Sequence, residues 1–515
     1  MPVWVDSPFI VHEQIVCVNL LWFLFGRESV QGTSFSFDDN SFYGYIVLVM
    51  TGYKRTFEVL ILLFVSSLGF AVEQPALQPI VEVEEEVYRY SPANNGAGPM
   101  WCRGSTCLVR IGDDVFASGI ETLKDFKPLN NCRWMLFRCD SGGWQQLQVD
   151  TVGRTREPCP LTGFSDGRLF MSVNPTLTTD PNAYGGPARP EILEFAAANP
   201  KTPFKTILPV WDGTPAFTEH SYRSFAADGP ARELILFQNV GYTHAEWAFR
   251  NSAGQWVSKG KLKWPWGAEY DKPQPIRVCY PNVALKNRAV HFCGVSDIVE
   301  PYLKWRAFKQ KLTGRKWDYD FRRLFYTWSP DILTGEFGDW VEIASRDKTC
   351  GWITPGDLWV APDGAAHLVW TERAIDERLR EKFFPDAVQS HALNYAIVRE
   401  GKVVMRRTLV LAKEGKSKEI PALPRFQVTP DNRLFVFYYI SGTDASGKPV
   451  SQNRIIELHK DGSNSPPTRV PLKYPMNSYF TATVRGGSPP SKVLNLLGTR
   501  AGARSINYAR IRLYE

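Results

Sequence analysis

The chain has little of what builds a metal centre. Histidine occurs seven times in 515 residues, and there is no C-x-x-C pair, H-E-x-x-H or His-rich tract. A structural zinc site is therefore not expected, nor is a cofactor, while a structural calcium stays open. No basic run of the nucleic-acid kind appears, and a net charge of +7 is modest for this length. Nucleic acid is thus excluded as a partner, whereas acidic partners stay open. With 44% hydrophobic and 22% charged residues, the composition leaves no room for a long disordered tail. The apolar run Val59 to Phe70 falls short of the ~18 residues that would span a membrane.

That run carries a different signal. "MTGYKRTFEVLILLFVSSLGFAVEQP" begins at Met50 with Lys54 and Arg55 near its start, and Gly69 and Ala71 sit three and one residues before a plausible cut. A basic start, ~7–15 apolar residues and small residues before a cut describe a secretory signal peptide. The expectation is a signal over 50–71, residues 1–49 outside the mature protein, and a single mature domain over 72–515 that is secreted or periplasmic, monomeric and not inserted in a membrane. Of nine cysteines, Cys17 falls in the leading segment. Export makes disulfides possible for the others, but the spacing fixes no pairing, and buried thiols acting as small hydrophobes fit equally well.

A repeat sets the architecture. A turn followed by an apolar strand recurs as "IGDDVFASG", "FSDGRLFMSVN", "AADGPARELILFQN", "LKNRAVHFCG", "APDGAAHLVWT", "TPDNRLFVFYY" and "VRGGSPPSKVLNLLG". An apolar strand precedes each, so the Asp-Gly and Asp-Asn turns read as tight hairpins. A third strand follows every pair, and a fourth follows all but the last. The missing partner is available at the other end as "PIVEVEEEVYRY", Pro79 to Tyr90. The prediction is an all-β, seven-bladed propeller of four-stranded antiparallel blades, closed by an N-terminal strand.

Loop lengths locate the working face. Turns between strands 1–2 and 3–4 of each blade are short, whereas the opposite side carries the excess chain. It includes "VEPYLKWRAFKQKLTGRKWDYDFRR" and "TERAIDERLREKFFPDAVQSH", both helical in pattern. Long ordered loops in a compact fold are usually functional.

The hairpin pattern and the segment "WCRGSTCLVRIGDDVFASG" resemble the sialidase-like, BNR-repeat superfamily of propellers. Arg103 occupies the place of that family's first-blade arginine, although Gly104-Ser105 replaces Ile-Pro, no intact Asp-box occurs, and sialidases have six blades. The resemblance implies an exported carbohydrate-active enzyme, a glycoside hydrolase or a polysaccharide lyase. Its expected partner is an acidic (uronic, sialic or sulfated) poly- or oligosaccharide. The alternative is a non-catalytic glycan- or protein-binding propeller, with Trp305, Trp317 and Tyr319 as stacking platforms.

Polar residues at the starts of innermost strands converge on the mouth of a propeller's channel. Those starts read "REPC" (Arg156, Glu157), "TEHSYRS" (Glu219, His220, Tyr222, Arg223), "IRVCYPN" (Arg277, Tyr280, Asn282), "GDLW" (Asp357), "PRFQ" (Arg425, Gln427) and "NSYF" (Asn477, Tyr479). Several arginines around one axis suit a carboxylate or sulfate, unless they bridge blades structurally. In an extended strand His220 and Tyr222 would point the same way, with Arg223 opposite. An arginine neutralising a uronate and a His or Tyr moving the proton would serve a lyase. Sialidase-like hydrolysis would instead need a Tyr nucleophile, and the resemblance places Tyr479 there, with Glu219 or Asp357 as carboxylate. His220, Tyr222, Tyr280 and Tyr479 are the candidate catalytic residues. Arg103, Arg223, Arg277, Asp357, Arg425, His244 and Glu219 are the candidate substrate-binding residues, expected around one polar pocket. His291 and His367 read as satisfied core histidines.

Overall fold

The structure is a computed structural model and describes residues 30–36, 43–53, 56–65, 77–101 and 104–514. The chain divides into two compact units, Met1–Ala76 and Leu77–Glu515. In the first, strands Val30–Ser36, Tyr43–Tyr53 and Thr56–Val65 form an antiparallel meander. The apolar stretch of the expected signal segment supplies most of the third strand, and the expected cleavage point near Ala71 lies outside the described residues. No helix among the described residues is long and apolar enough to cross a membrane.

The second unit is a seven-bladed propeller of four-stranded antiparallel blades. The innermost strands, blade one to blade seven, are Leu108–Ile111, Leu161–Gly163, Arg223–Asp228, Val278–Lys286, Trp352–Val360, Lys418–Val428 and Met476–Thr481. Six blades take their outermost strand from the chain that follows. The seventh takes Gln78–Arg89, which pairs antiparallel with Ser505–Tyr514. The ring therefore closes with the strand the sequence leaves over at its N-terminal end.

Burial explains the strand sequences. Glu233–Val240, second in blade three, is packed on both faces and carries the unbroken apolar run Leu234–Phe237, as suits a strand without a wet side. Trp256–Lys263, outermost in the same blade, alternates exposed and half-buried positions and alternates in sequence too. The apolar side chains gather in seven clusters, one at each blade-to-blade interface. Stability is thus distributed around the ring. The Asp-Gly turns need a left-handed residue: Gly167 has φ +89 and Gly364 φ +82, where a side chain would be strained.

Both predicted helical insertions are present. Helix α1 (Leu303–Thr313) stops at Gly314, a left-handed cap whose N–H donates to Gln310. Helix α2 (Glu377–Phe383) is started by Asp376, whose carboxylate accepts from the Arg378 N–H. The two meet through Phe308 and Phe383, ring centroids 5.4 Å apart, and Trp305 and Phe384, 5.5 Å apart. The long blade-four connection between strands 2 and 3 is further tied by a short ladder, Ile298–Val299 with Tyr319–Asp320.

One hairpin departs from the pattern. The seventh turn, between Thr481 and Val493, folds into a 3-10 turn at Val484–Gly486 against the innermost strands of blades two, three and four. It sends Arg485 into the axis. There Nε donates to Asp357 Oδ1 at 2.9 Å, and Nη1 donates to the Gly104 carbonyl at 2.6 Å. Gly104 itself lies so close to blade four that a Cβ would sit 2.2 Å from the Pro281 carbonyl oxygen. The channel is plugged.

Candidate functional site

Four innermost strands carry a register shift near their start: Cys279/Asn282 in blade four, Pro355/Asp357 in blade five, Ala422/Arg425 in blade six and Met476/Ser478 in blade seven. Two bulges place a residue before proline in the left-handed region, Tyr280 at φ +51 and Leu423 at φ +53. Such backbone is costly for residues with a side chain, and bulges re-aim side chains. They decide which of the expected site residues reach the loop-rich face.

In blades two to four that face carries a continuous cluster of arginines and rings. The Arg156 guanidinium lies 6.0 Å from the Trp101 ring, Trp101 meets Tyr280 edge-on at 5.7 Å, and Tyr280 lies 5.7 Å from Tyr222. Arg277 stands between Tyr242, 3.8 Å from its guanidinium, and Tyr222, at 5.4 Å. The Tyr242 hydroxyl is 2.9 Å from that of Tyr319, and the chain of rings continues through Phe321 to Trp352. Tyr242 and Trp352 are exposed.

The segment from Thr218 to Tyr222 is a turn, so the expected alternation of His220, Tyr222 and Arg223 does not apply. Ser221 N–H donates to Thr218 and Tyr222 N–H to His220. Half-exposed His220 receives Arg156 Nη1 on Nδ1 at 2.7 Å, and its Nε2 lies 3.5 Å from Glu219 Oε1. An arginine only donates, so Nδ1 accepts and the proton of the neutral ring sits on Nε2. Burial, then the Arg156 charge, holds the imidazole below the ordinary histidine range. Glu219 is positioned by the Gly186 N–H, 3.0 Å from its Oε2.

Neither the Tyr222 nor the Tyr280 hydroxyl has a hydrogen-bond partner among the described residues. Burial pushes both phenols well above their usual range. For Tyr222 the Glu157 carboxylate adds to this, and for Tyr280 the neighbouring Tyr222 and then Asp297 do. Both therefore stay protonated and are not poised to attack as phenolates. Between them, with Gly104, Ser105, Arg223 and Pro281, is a cavity of about 10 Å³, room for roughly one water.

Of the remaining expected residues, Arg277 and Arg223 border this cluster but are engaged by protein groups, and the others lie elsewhere. Arg277 is buried and paired with Asp297 at 2.8 Å. Arg223 is buried, donating to the Pro158 carbonyl at 2.8 Å. His244 opens the third strand of blade three, away from the innermost strands, with Nε2 3.0 Å from Glu246. Asp357 holds the Arg485 plug and the Phe426 N–H. Arg425 is sealed between blades five and six, donating to the Gly356 carbonyl. Tyr479 lies in the core between blades six and seven, where its hydroxyl donates to Leu423 at 2.5 Å. A nucleophilic Tyr479 is incompatible with that burial. Arg103 lies outside the described residues. Trp305 is wedged among Tyr302, Phe384 and Arg322 rather than presented as a platform, whereas Trp317 is 68% exposed. Trp101, Tyr242, Asp297 and Arg485 were not legible as site or plug residues. Arg156 was, from its place before an innermost strand.

His291 is a core residue as expected and His367 is half-buried, each bonded through Nδ1 to a tyrosine hydroxyl of the adjoining strand, Tyr326 at 2.7 Å and Tyr395 at 2.6 Å. Cys107, Cys132, Cys139, Cys159, Cys279, Cys293 and Cys350 are free thiols, all buried except half-buried Cys139.

No protein-family profile and no curated protein matches this chain. Solved structures similar to it include a protein of unknown function from Dyadobacter fermentans, with TM-score 0.40 and 9% identity over 86% of this chain and 100% of that one. An α-L-arabinofuranosidase of Fusarium graminearum gives TM-score 0.38 and 12% identity over 68% and 91%. An α-L-arabinanase of Penicillium chrysogenum complexed with arabinobiose gives 0.37 and 11% over 84% and 98%. Likenesses this distant carry no argument about activity. The propeller rests on its own strand order.

Proposed function

We propose that the protein is a carbohydrate-active enzyme whose loop-rich face takes an acidic glycan over blades two to four and cleaves it by elimination. The observation that carries this reading is the meeting of Arg156, neutral His220 and Glu219 with two tyrosine hydroxyls that have no hydrogen-bond partner among the described residues, beside a line of aromatic rings. Flat rings suit the apolar faces of sugars, and a uronate carboxylate suits Arg156. As that carboxylate draws Arg156 away, His220 Nδ1 recovers its lone pair and removes the proton next to the carboxylate. The carbon–oxygen bond to the leaving sugar breaks, a carbon–carbon double bond forms, and the leaving oxygen takes the Tyr222 proton. Membership of the sialidase-like superfamily and export after Met50–Ala71 belong to the same proposal, the latter checked by the N-terminus of the mature protein.

A binding-only propeller is the second reading, favoured by the small cavity and by the pairing of Arg277 with Asp297. One experiment separates them. Incubation with uronic, sulfated and sialylated glycans should yield an unsaturated uronate that absorbs in the ultraviolet. Binding without any product would support the second reading, and a saturated product would replace elimination by hydrolysis. Neither binding nor product from any of these glycans would end both.

A further inference from the structure

Between Pro301 and Trp317 the chain reads PYLKWRAFKQKLTGRKW, six basic residues and no acid. Lys309 turns inward and is buried, with Glu300 at 2.7 Å, Asp318 at 3.2 Å and Asp376 at 3.9 Å. Beside it, buried Arg322 is held by Glu300 and Asp347, each at 2.8 Å. These ion pairs and the ring contacts of Trp305 and Phe308 fix α1 to the blade and to α2. Burying so many charges is costly and brings little net stability, so the network is better understood as fixing the helix in one orientation.

The outward side is left unpaired. Lys304, Lys311, Arg315 and Lys316 are exposed, Arg306 is half-exposed, and none of the five forms an ion pair among the described residues. Trp317 stands open beside them. Two residues further on, Tyr319 bonds Tyr242 at the rim of the candidate site. The Arg315–Trp317 end of this basic segment therefore leads along the chain into the aromatic line, and α1 before it is held rigidly.

We infer that the outer side of α1 and the Gly314–Trp317 turn form a track for the continuing chain of an acidic polysaccharide, beyond the unit held at Arg156 and His220. This rests on the glycan reading of the central site and adds to it that the substrate is a polymer. Evenly spaced carboxylates or sulfates would pair with Lys304, Lys311, Arg315 and Lys316, and one sugar would stack on Trp317.

The test is calorimetric titration of the full chain with galacturonate oligomers of two lengths, a trimer and a chain of about twelve, and with heparin fragments of the same lengths. The wild type should bind the longer chain at least about tenfold tighter, and the advantage should disappear at high salt because exposed charges are screened. The variant Lys304→Ser/Lys311→Ser/Arg315→Ser/Lys316→Ser should keep the wild-type melting temperature and trimer affinity while losing the length advantage, and Trp317→Ala should lose part of it. A length advantage that survives in the fourfold variant overturns the track and leaves the central site standing. Tighter binding of an equally charged polynucleotide or of anionic lipid vesicles overturns it in favour of another occupant. Failure of both lengths to bind the wild type overturns the track together with the central-site reading.

Discussion

Blades two to four and blades five to seven begin from the same feature, a polar residue at the opening of an innermost strand, and come to opposite ends. In the first group His220 reaches the loop-rich face, and although Arg156 and Arg277 are buried and paired with Glu157 and Asp297, Arg156 meets His220 and Arg277 lies against exposed Tyr242. In the second, Asp357, Arg425 and Tyr479 are buried and bonded to protein groups. The difference lies in what crosses the axis. Arg485 enters from the seventh turn and takes Asp357. The left-handed bulge at Leu423 turns its carbonyl to the Tyr479 hydroxyl. A polar residue at a strand start is thus an offer, and the partner across the axis decides whether it becomes site or scaffold.

The sharpest break of that comparison is at the plug. Arg485→Ala leaves Asp357 as a buried carboxylate without its cation, and should cost about 3–5 kcal/mol, as breaking a buried pair does. Urea denaturation measures it. The paired replacement Arg485→Met/Asp357→Leu should recover much of the loss, because it removes both charges. If Arg485→Ala unfolds at the wild-type urea concentration, the plug holds nothing.

Next come two tyrosines with one chemical change. Tyr222→Phe should lower turnover roughly a hundredfold or more with the fold intact, since it removes the proposed proton donor. Tyr479→Phe should leave turnover alone and cost about 1 kcal/mol of stability, one hydrogen bond. The reverse outcome would exchange the roles of the two halves. His220→Ala should match Tyr222→Phe, with turnover lost and melting temperature kept.

These contrasts show what was legible beforehand. Blade number and closure could be read because they rest on local signals: an Asp-Gly turn, an apolar run, and a leftover strand at Pro79. The face that carries the long insertions could be read from loop length. The choice among candidate residues could not, because it depends on contacts far apart in sequence. Nothing near Arg277 announces Asp297 as its partner, nothing in "VRGGSPP" announces a plug, and the turn at Thr218–Tyr222 undoes an alternation that assumed extended backbone. His291 and His367 were legible because each lies within an apolar second strand.

Those two histidines give a graded pH effect. Burial is the largest cause for both, and it lowers each pKa from 6.5 to about 4. Above pH 6.5 they are neutral whether the chain is folded or not and contribute nothing. As pH falls from 6.5 to 4 the unfolded chain takes up protons the folded one refuses, so stability drops, by up to roughly 3 kcal/mol for each. His291→Gln/His367→Gln should flatten the fall in urea midpoint between pH 7 and 4.5. A variant with the wild-type slope would place the acid sensitivity elsewhere.

The smallest effect is expected where the ring closes. Glu82, on the N-terminal strand, meets Arg510 at 2.8 Å and Arg512 at 2.5 Å, but all three side chains are partly in water. Exposed pairs of this kind contribute about 0.2–1 kcal/mol because solvent screens them. The closure rests mainly on the backbone ladder between Gln78–Arg89 and Ser505–Tyr514, and on the core that takes Val81 on one side and Val83 on the other. Glu82→Gln should therefore lower stability by less than about 1 kcal/mol, and the difference should vanish in high salt. Val83→Ala, next along the strand, removes two half-buried carbons and should cost more, about 1 kcal/mol, with no salt dependence. If the charge change proved the more damaging of the two, ion pairs and not the apolar seam would be what holds blade seven to blade one.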